Sequence, residues 1–208
     1  MNEHGWVGPI EWAAAGSPLP GEQESGDRSI AVEIGQTAAL FGVLDGLGHG
    51  AGASEAASCG VGVLRGSRME PLDVLIRLCH RAMTETRGAA ITLARVDLDA
   101  DAISWIGIGN VTAMLVAKGP RGVHVRASAL LTGGIVGYRM PETLLTQNIS
   151  VSPGDLLVIA SDGIAEDHLD SIDFAAPATA IAETILHKHG KDSDDALVLA
   201  ARHRGTTS

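Results

Sequence analysis

Three acidic positions in this sequence share one local design. Asp45 ends the apolar run ALFGVLD and is followed by Gly46. Asp162 ends LLVIASD and is followed by Gly163, and Asp194 and Asp195 immediately precede the last apolar run. A carboxylate that terminates a buried strand is costly to ionise unless something compensates its charge. Strand-then-Asp-Gly is also ordinary turn chemistry, and one instance would say no more than that. Two instances and an Asp pair, drawn from distant parts of the chain, admit a second reading. A hard divalent cation needs several oxygen ligands at one point, and strand ends are rigid places from which to aim them. On these residues alone both readings stay open.

The stretch DGLGHGAGASEAA (Asp45–Ala57) is the most informative piece of sequence. Its glycines let the backbone approach a ligand closely and adopt positive φ, and the helix predicted after it presents a positive dipole end to an anion. Three nucleotide motifs fail against it. A Walker loop needs Gly-Lys-Ser/Thr, and no lysine is near. A GxGxxG fingerprint is met loosely by Gly48, Gly50 and Ala53, without a βαβ frame or an acidic residue at the required distance. A histidine-kinase box would space its glycines differently after the aspartate. An aspartate beside a phosphate repels it unless a cation intervenes, so a metal reconciles the acid with the phosphate-friendly glycines.

The elements that must position these residues follow from periodicity. Arg28–Ile34 and Thr37–Asp45 read as a hairpin broken at Gly35-Gln36. Two helices are predicted, over Ala51–Leu64 and over Pro71–Thr86, where Leu72, Leu75, Ile76, Cys79 and Met83 recur at helical spacing. Ala89–Leu98, Ala102–Ile108, Val111–Ala117 and Gly122–Leu130 then read as a meander of strands with short turns. That meander leaves no room for crossover helices and excludes a doubly wound parallel sheet there. Leu156–Asp162, a helix over Ala175–His189 and a strand over Asp195–His203 close the chain. The polar stretch Gly16–Glu24 sets off a short first segment. The order fits two packed antiparallel sheets covered by helices, an α+β fold in a single domain over residues 1–208.

Composition narrows the function. The 208 residues are 45% hydrophobic and 19% charged, enough to bury a full core and too apolar for disorder. Only 3% are aromatic and the net charge is −10 without a Lys/Arg cluster. Nucleic acid and acidic membranes are therefore poor partners. Cys59 and Cys79 match no ligand spacing and read as buried thiols in a reducing compartment. The first residues show neither a basic nor an apolar signal region, and no apolar run approaches the ~20 residues that span a bilayer. The expected location is cytoplasmic. Asp155, Glu166, Asp167, Asp170 and Asp173 read as solvated turn and loop charges.

DGLGHG, then SDG, then DDA before a final apolar strand, together resemble the bacterial metal-dependent phosphatases of the PPM (protein phosphatase 2C) superfamily, and more narrowly the SpoIIE-like branch. The resemblance runs from about Ser25 to Leu199 and takes in Ser25-Gly26-Asp27, Arg87–Asp97 and the Gly109-Asn110 turn. It implies an αββα sandwich with two Mn²⁺ or Mg²⁺ ions at one end of the paired sheets. By position, Asp45 bridges both ions and the Gly46 carbonyl binds one. Asp162 and Asp194 complete coordination spheres, and Asp27 stands near the second ion. The implied chemistry is attack on phosphorus by a water bridging the ions, with His49 the nearest candidate to protonate the leaving alcohol. The implied partners are phosphorylated STAS-domain scaffold proteins of a stressosome, met by a monomer.

The sequence departs from the family in three places. Larger relatives carry a phosphate-gripping arginine before the first acidic motif. None precedes Asp27 here, and the alternation of Arg28 with Asp27 points it to the opposite face. Leu197 replaces a frequent threonine, and Gly119–Ser152 is short for a flap. Two other functions compete with this reading: a catalytically inactive module that docks a phosphoprotein, and a nucleotide-binding kinase or dehydrogenase, for which the glycine spacings fail.

Overall fold

The computed structural model describes residues 2–120 and 122–205. In chain order the described residues form β1 (Asn2–Val7), β2 (Ile10–Ser17), β3 (Asp27–Ile34), β4 (Ala38–Gly46), α1 (Ala51–Gly66), α2 (Leu72–Ala82), β5 (Ala89–Asp97), β6 (Ala102–Ile108), β7 (Thr112–Gly119) and β8 (Gly122–Ser128). There follow β9 (Leu131–Thr132), β10 (Gln147–Ser150), β11 (Leu156–Ala160), a 3-10 helix (Glu166–Ser171), α3 (Ala178–His189) and β12 (Ala196–His203). One sheet has the order β1-β2-β12-β11-β7-β8, the other β10-β6-β5-β4-β3 with β9 added parallel to β6. All the other strand pairs named are antiparallel.

Alternation along the strands decides the layering. On β4, Ala39, Phe41 and Val43 enter the core between the sheets, while Leu40 and Leu44 meet α1 and α2. On β11 and β12 the odd residues Leu157, Ile159, Leu197, Leu199 and Ala201 face the same inter-sheet core, and the even ones meet α3. Both faces of these strands are therefore apolar, as strands covered on two sides must be. Each fully buried Leu or Ile contributes ~1.5–3 kcal/mol of transfer free energy. The result is the αββα sandwich expected from the sequence, with α1 and α2 on one outer face and α3 on the other.

Several boundaries differ from the sequence expectation. The first segment is a hairpin, β1–β2, whose second strand IEWAAAGS is rich in alanine and weak in β propensity. Pairing with β12 imposes the strand, and its small side chains Ala13 and Ala15 let α3 settle close. The helix expected over Pro71–Thr86 ends at Ala82, because a turn held by Thr86 Oγ1 donating to Met83 O (2.7 Å) leads into Gly88 at φ 79°. The helix expected from Ala175 starts at Ala178, after Pro177.

Asp155 overturns its expectation as a solvated charge. It is buried, paired with Arg126, and accepts the Ser152 N–H at 2.7 Å, so it closes the turn into β11 from inside. Burial follows from that ion pair, which offsets the desolvation of the carboxylate. Cys59 and Cys79 are free thiols, the first half-buried and the second buried, and burial pushes the Cys79 thiol up to about 12.

Candidate metal centre

The strand alternation that builds the core also aims the acids. Asp45 continues the series Ala39, Phe41, Val43 and emerges at the mouth of the inter-sheet core. Asp27 is its direct register partner on β3, so the two carboxyls share one face. From the other sheet, Ser161 continues Leu157 and Ile159, and Asp195 continues Leu197 and Leu199. The sheets are joined there: Ser161 Oγ donates to Asp27 Oδ2 at 2.7 Å and accepts the Leu197 N–H at 2.9 Å. Asp195 accepts the backbone N–H groups of Leu19 and Gly26, both at 2.8 Å, and so ties the 19–26 segment down beside Asp27.

The glycine after each strand-end aspartate permits close approach. A Cβ on Gly46 would run into the Ala53 carbonyl of α1, and one on Gly163 into the Asp195 carbonyl. Gly46 thus lets α1 start against Asp45, and Gly163 lets Asp162 meet the Asp194–Asp195 segment. Asp162, Asp194 and Asp45 line one cleft of about 370 Å³ together with Gly48, Asn110 and Ile135. Asn110 donates to Asp162 Oδ2 at 2.6 Å, and Lys191 Nζ donates to the Asp162 carbonyl at 2.5 Å.

The carboxylates oppose one another's ionisation. Burial, then Asp27, Asp162, Asp194 and Asp195, push Asp45 up to about 8. Burial raises Asp27 to about 7, with the Ser161 hydrogen bond working against it and Asp195, Asp162 and Asp194 adding to it. Asp162 is raised by burial and Asp194, and partly restored by Lys191 and Asn110. Such a cluster accepts either protons or a cation.

Known proteins carry the same frame. Residues 35–204 match the family described as "SpoIIE: Stage II sporulation protein E (SpoIIE)". The chain belongs to the SpoIIE family. A relative in Bacillus subtilis (strain 168), "Phosphoserine phosphatase RsbX", is 23% identical over 126 residues, which is 60% of this chain and 60% of the relative's length. A chain of the solved structure described as "The bacterial stressosome: a modular system that has been adapted to control secondary messenger signaling" is 30% identical, with a TM-score of 0.82 over 93% of this chain and 99% of that one. The magnesium complex described as "Crystal structure of RsbX in complex with magnesium in space group P1" has 20% identity and a TM-score of 0.80, over 97% of this chain and 98% of that one.

In this SpoIIE-family chain three of the expected carboxylates, Asp45, Asp162 and Asp194, line one cleft, Asp27 pairs with Asp45 across β3 and β4, and Gly46 is buried next to Asp45. His49 lies on the adjoining loop with its ring about half exposed and Nδ1 at 2.7 Å from Glu22 Oε1. Arg28 turns to the helix side, as alternation requires, and its guanidinium donates to Ser54 Oγ and to the Ser25 and Asp27 carbonyls. Sequence reasoning missed the roles of Ser161 and Asn110 as partners of the acids, and of Asp195 as a backbone tether. The signal for Ser161 was its parity with Ile159, and for Asn110 its place in the Gly-Asn turn ending β6.

The donor set suits a hard cation. Asp27 Oδ1 is buried without a hydrogen-bond partner, while its Oδ2 is held by Ser161. An orphaned anionic oxygen of that kind calls for a ligand. Among the described residues no three acidic, imidazole or thiol side chains converge closely enough to hold an ion by themselves. The remaining ligands must be backbone carbonyl and water oxygens, which Mg²⁺ and Mn²⁺ accept readily.

Proposed function

We propose that this chain is a metal-dependent protein phosphatase that hydrolyses phosphoserine or phosphothreonine esters on a bacterial signalling protein. The observation that carries the reading is the register pair Asp27–Asp45, in which buried Asp27 keeps one unpartnered carboxyl oxygen and Asp45 lines a cleft together with Asp162 and Asp194. Asp27, Asp45, Asp162, Asp194 and the Gly46 carbonyl would hold two Mn²⁺ or Mg²⁺ ions between them, with water oxygens completing each coordination shell. When bound, such an ion pair supplies a water of lowered pKa and offsets the charge of the phosphoryl oxygens.

The protein's own part is orientation. Ser161 fixes the Asp27 carboxyl through Oδ2 and leaves Oδ1 without a hydrogen-bond partner. Asn110 likewise holds Asp162 through Oδ2. His49 is placed one residue beyond the cleft-lining Gly48 and would carry the proton needed by the departing serine or threonine oxygen.

The finer reading is a phosphorylated STAS-domain scaffold protein of a stressosome as substrate, met in the cytoplasm by a monomer. What supports it is the likeness to the stressosome-derived chain and to RsbX, and the fact that no helix among the described residues is long and apolar enough to cross a membrane. The test is phosphate release from a phosphorylated STAS-domain protein and from p-nitrophenyl phosphate, with Mn²⁺, Mg²⁺ or chelator. Release that depends on the ion and is lost in Asp45→Asn is expected. Folded protein that releases no phosphate with either ion refutes the proposal.

A further inference from the structure

We infer that Arg87 binds the substrate's phosphoryl group from the rim of the aspartate cleft, an assignment that rests on the phosphatase reading above. Arg87 sits in the turn between α2 and β5, and the following residue is stitched to the metal loop, since the Leu47 N–H donates to the Gly88 carbonyl at 2.9 Å. Its guanidinium lies over the loop and the first turn of α1. Nη1 donates to the His49 carbonyl at 3.3 Å and stands 3.2 Å from where a Cβ on Gly48 would be. Nε is 2.6 Å from the Cβ position of Gly52. Two glycines therefore make the slot in which this arginine rests, and one of them, Gly48, lines the cleft with Asp45.

Fold stability does not explain the placement. Arg87 is exposed, and no carboxylate among the described residues lies within ion-pair reach of it. It rests against the positive end of α1, whose first turn holds no acidic residue, where a cation is disfavoured. The bond to His49 O occupies one of its five N–H donors. A planar fork of free donors beside a cleft suits the oxygens of a phosphoryl group. In a chain with a net charge of −10, a cation here also offsets the repulsion that the aspartates present to an arriving dianion. It would do the work of the arginine that the sequence lacks before Asp27.

The experiment compares wild type with Arg87→Ala and Arg87→Lys, each loaded with Mn²⁺. Calorimetry reads the affinity for inorganic phosphate, and kinetics read KM and kcat on a phosphoserine peptide. Arg87→Ala is expected to weaken phosphate binding and raise KM by about tenfold or more, with kcat, Mn²⁺ affinity and Tm close to wild type. Arg87→Lys should recover part of the loss, since it restores charge without the fork. Unchanged phosphate affinity in Arg87→Ala overturns the inference, as does a loss matched by an equal loss of Mn²⁺ affinity, which would mark a structural role. If wild type releases no phosphate with either ion, the phosphatase reading falls, and phosphate calorimetry on the same variants still decides whether Arg87 holds an anion.

Discussion

Replacing Asp45 by Asn keeps the shape of the side chain and removes its charge, which makes the metal-free protein a direct gauge of the carboxylate cluster. In the folded chain the Asp45 carboxyl is pushed from 3.8 up to about 8. At ~1.4 kcal/mol per unit this sets a ceiling of about 6 kcal/mol on the cost of ionising it. The carboxyl stands at a cleft open to water, and hydration recovers part of that cost, leaving about 1–3 kcal/mol, or ~3–10 °C in Tm for a chain of this size. The sign follows from proton counts. Between pH 3.8 and about 8 the folded wild type holds a proton that the unfolded chain has released, so its stability falls as pH rises through that window. Asn does not titrate. In the presence of a chelator, Asp45→Asn should therefore melt above wild type at pH 8.5, with the advantage shrinking toward pH 5. Saturating Mn²⁺ should reverse the order, because wild type binds the ion and the variant loses a shared ligand. Thermal unfolding at the two pH values, with and without Mn²⁺, measures all of this. An Asp45→Asn variant that is no more stable than wild type at pH 8.5 in chelator, or whose advantage is independent of pH, refutes the account of the cluster.

Other perturbations test single contacts. Ser161→Ala removes the hydrogen bond that holds Asp27 Oδ2 and should weaken Mn²⁺ binding about tenfold, as outer partners of ligands commonly do; calorimetric titration with Mn²⁺ reads it. Gly163→Ala drives a methyl into the Asp195 carbonyl and should cost more than ~2 kcal/mol, measured by urea unfolding, with turnover lost together with the fit of the strand ends. His49→Ala should lower kcat on a phosphoserine peptide about tenfold or more while leaving p-nitrophenyl phosphate nearly unaffected. The nitrophenolate leaves without a proton and the serine oxygen does not, so equal effects on both substrates would remove His49 from that role.

What the sequence disclosed of the fold and the site depended on which interactions are local. The layering was legible because strands such as ALFGVLD and LLVIASD carry their burial on both faces in their own composition, and the meander after Ala89 is written in its turns. The hairpin at residues 2–17 was not, because the alanines of β2 become strand only when β12 and α3 close on them. Asp155 was misjudged for the same reason: an acid beside Pro-Gly reads as a turn residue until Arg126, 29 positions away, is seen beside it. The site followed the same division. Asp45, Asp162 and Asp194 announce themselves by position, the first two ending an apolar run and the third just ahead of one. Their partners do not, since Ser161 acts on Asp27 across 134 residues and Asn110 on Asp162 across 52. Parity along a strand is the link between the two levels. Knowing that Phe41 and Ile159 face the inter-sheet core fixes that Asp45 and Ser161 point into its mouth, and the sheet register then sets Asp27 opposite Asp45. Arg87 lies beyond any such rule, because the slot that holds it is made by the absence of side chains at Gly48 and Gly52, which spacing alone cannot connect to a residue 35 or more positions later.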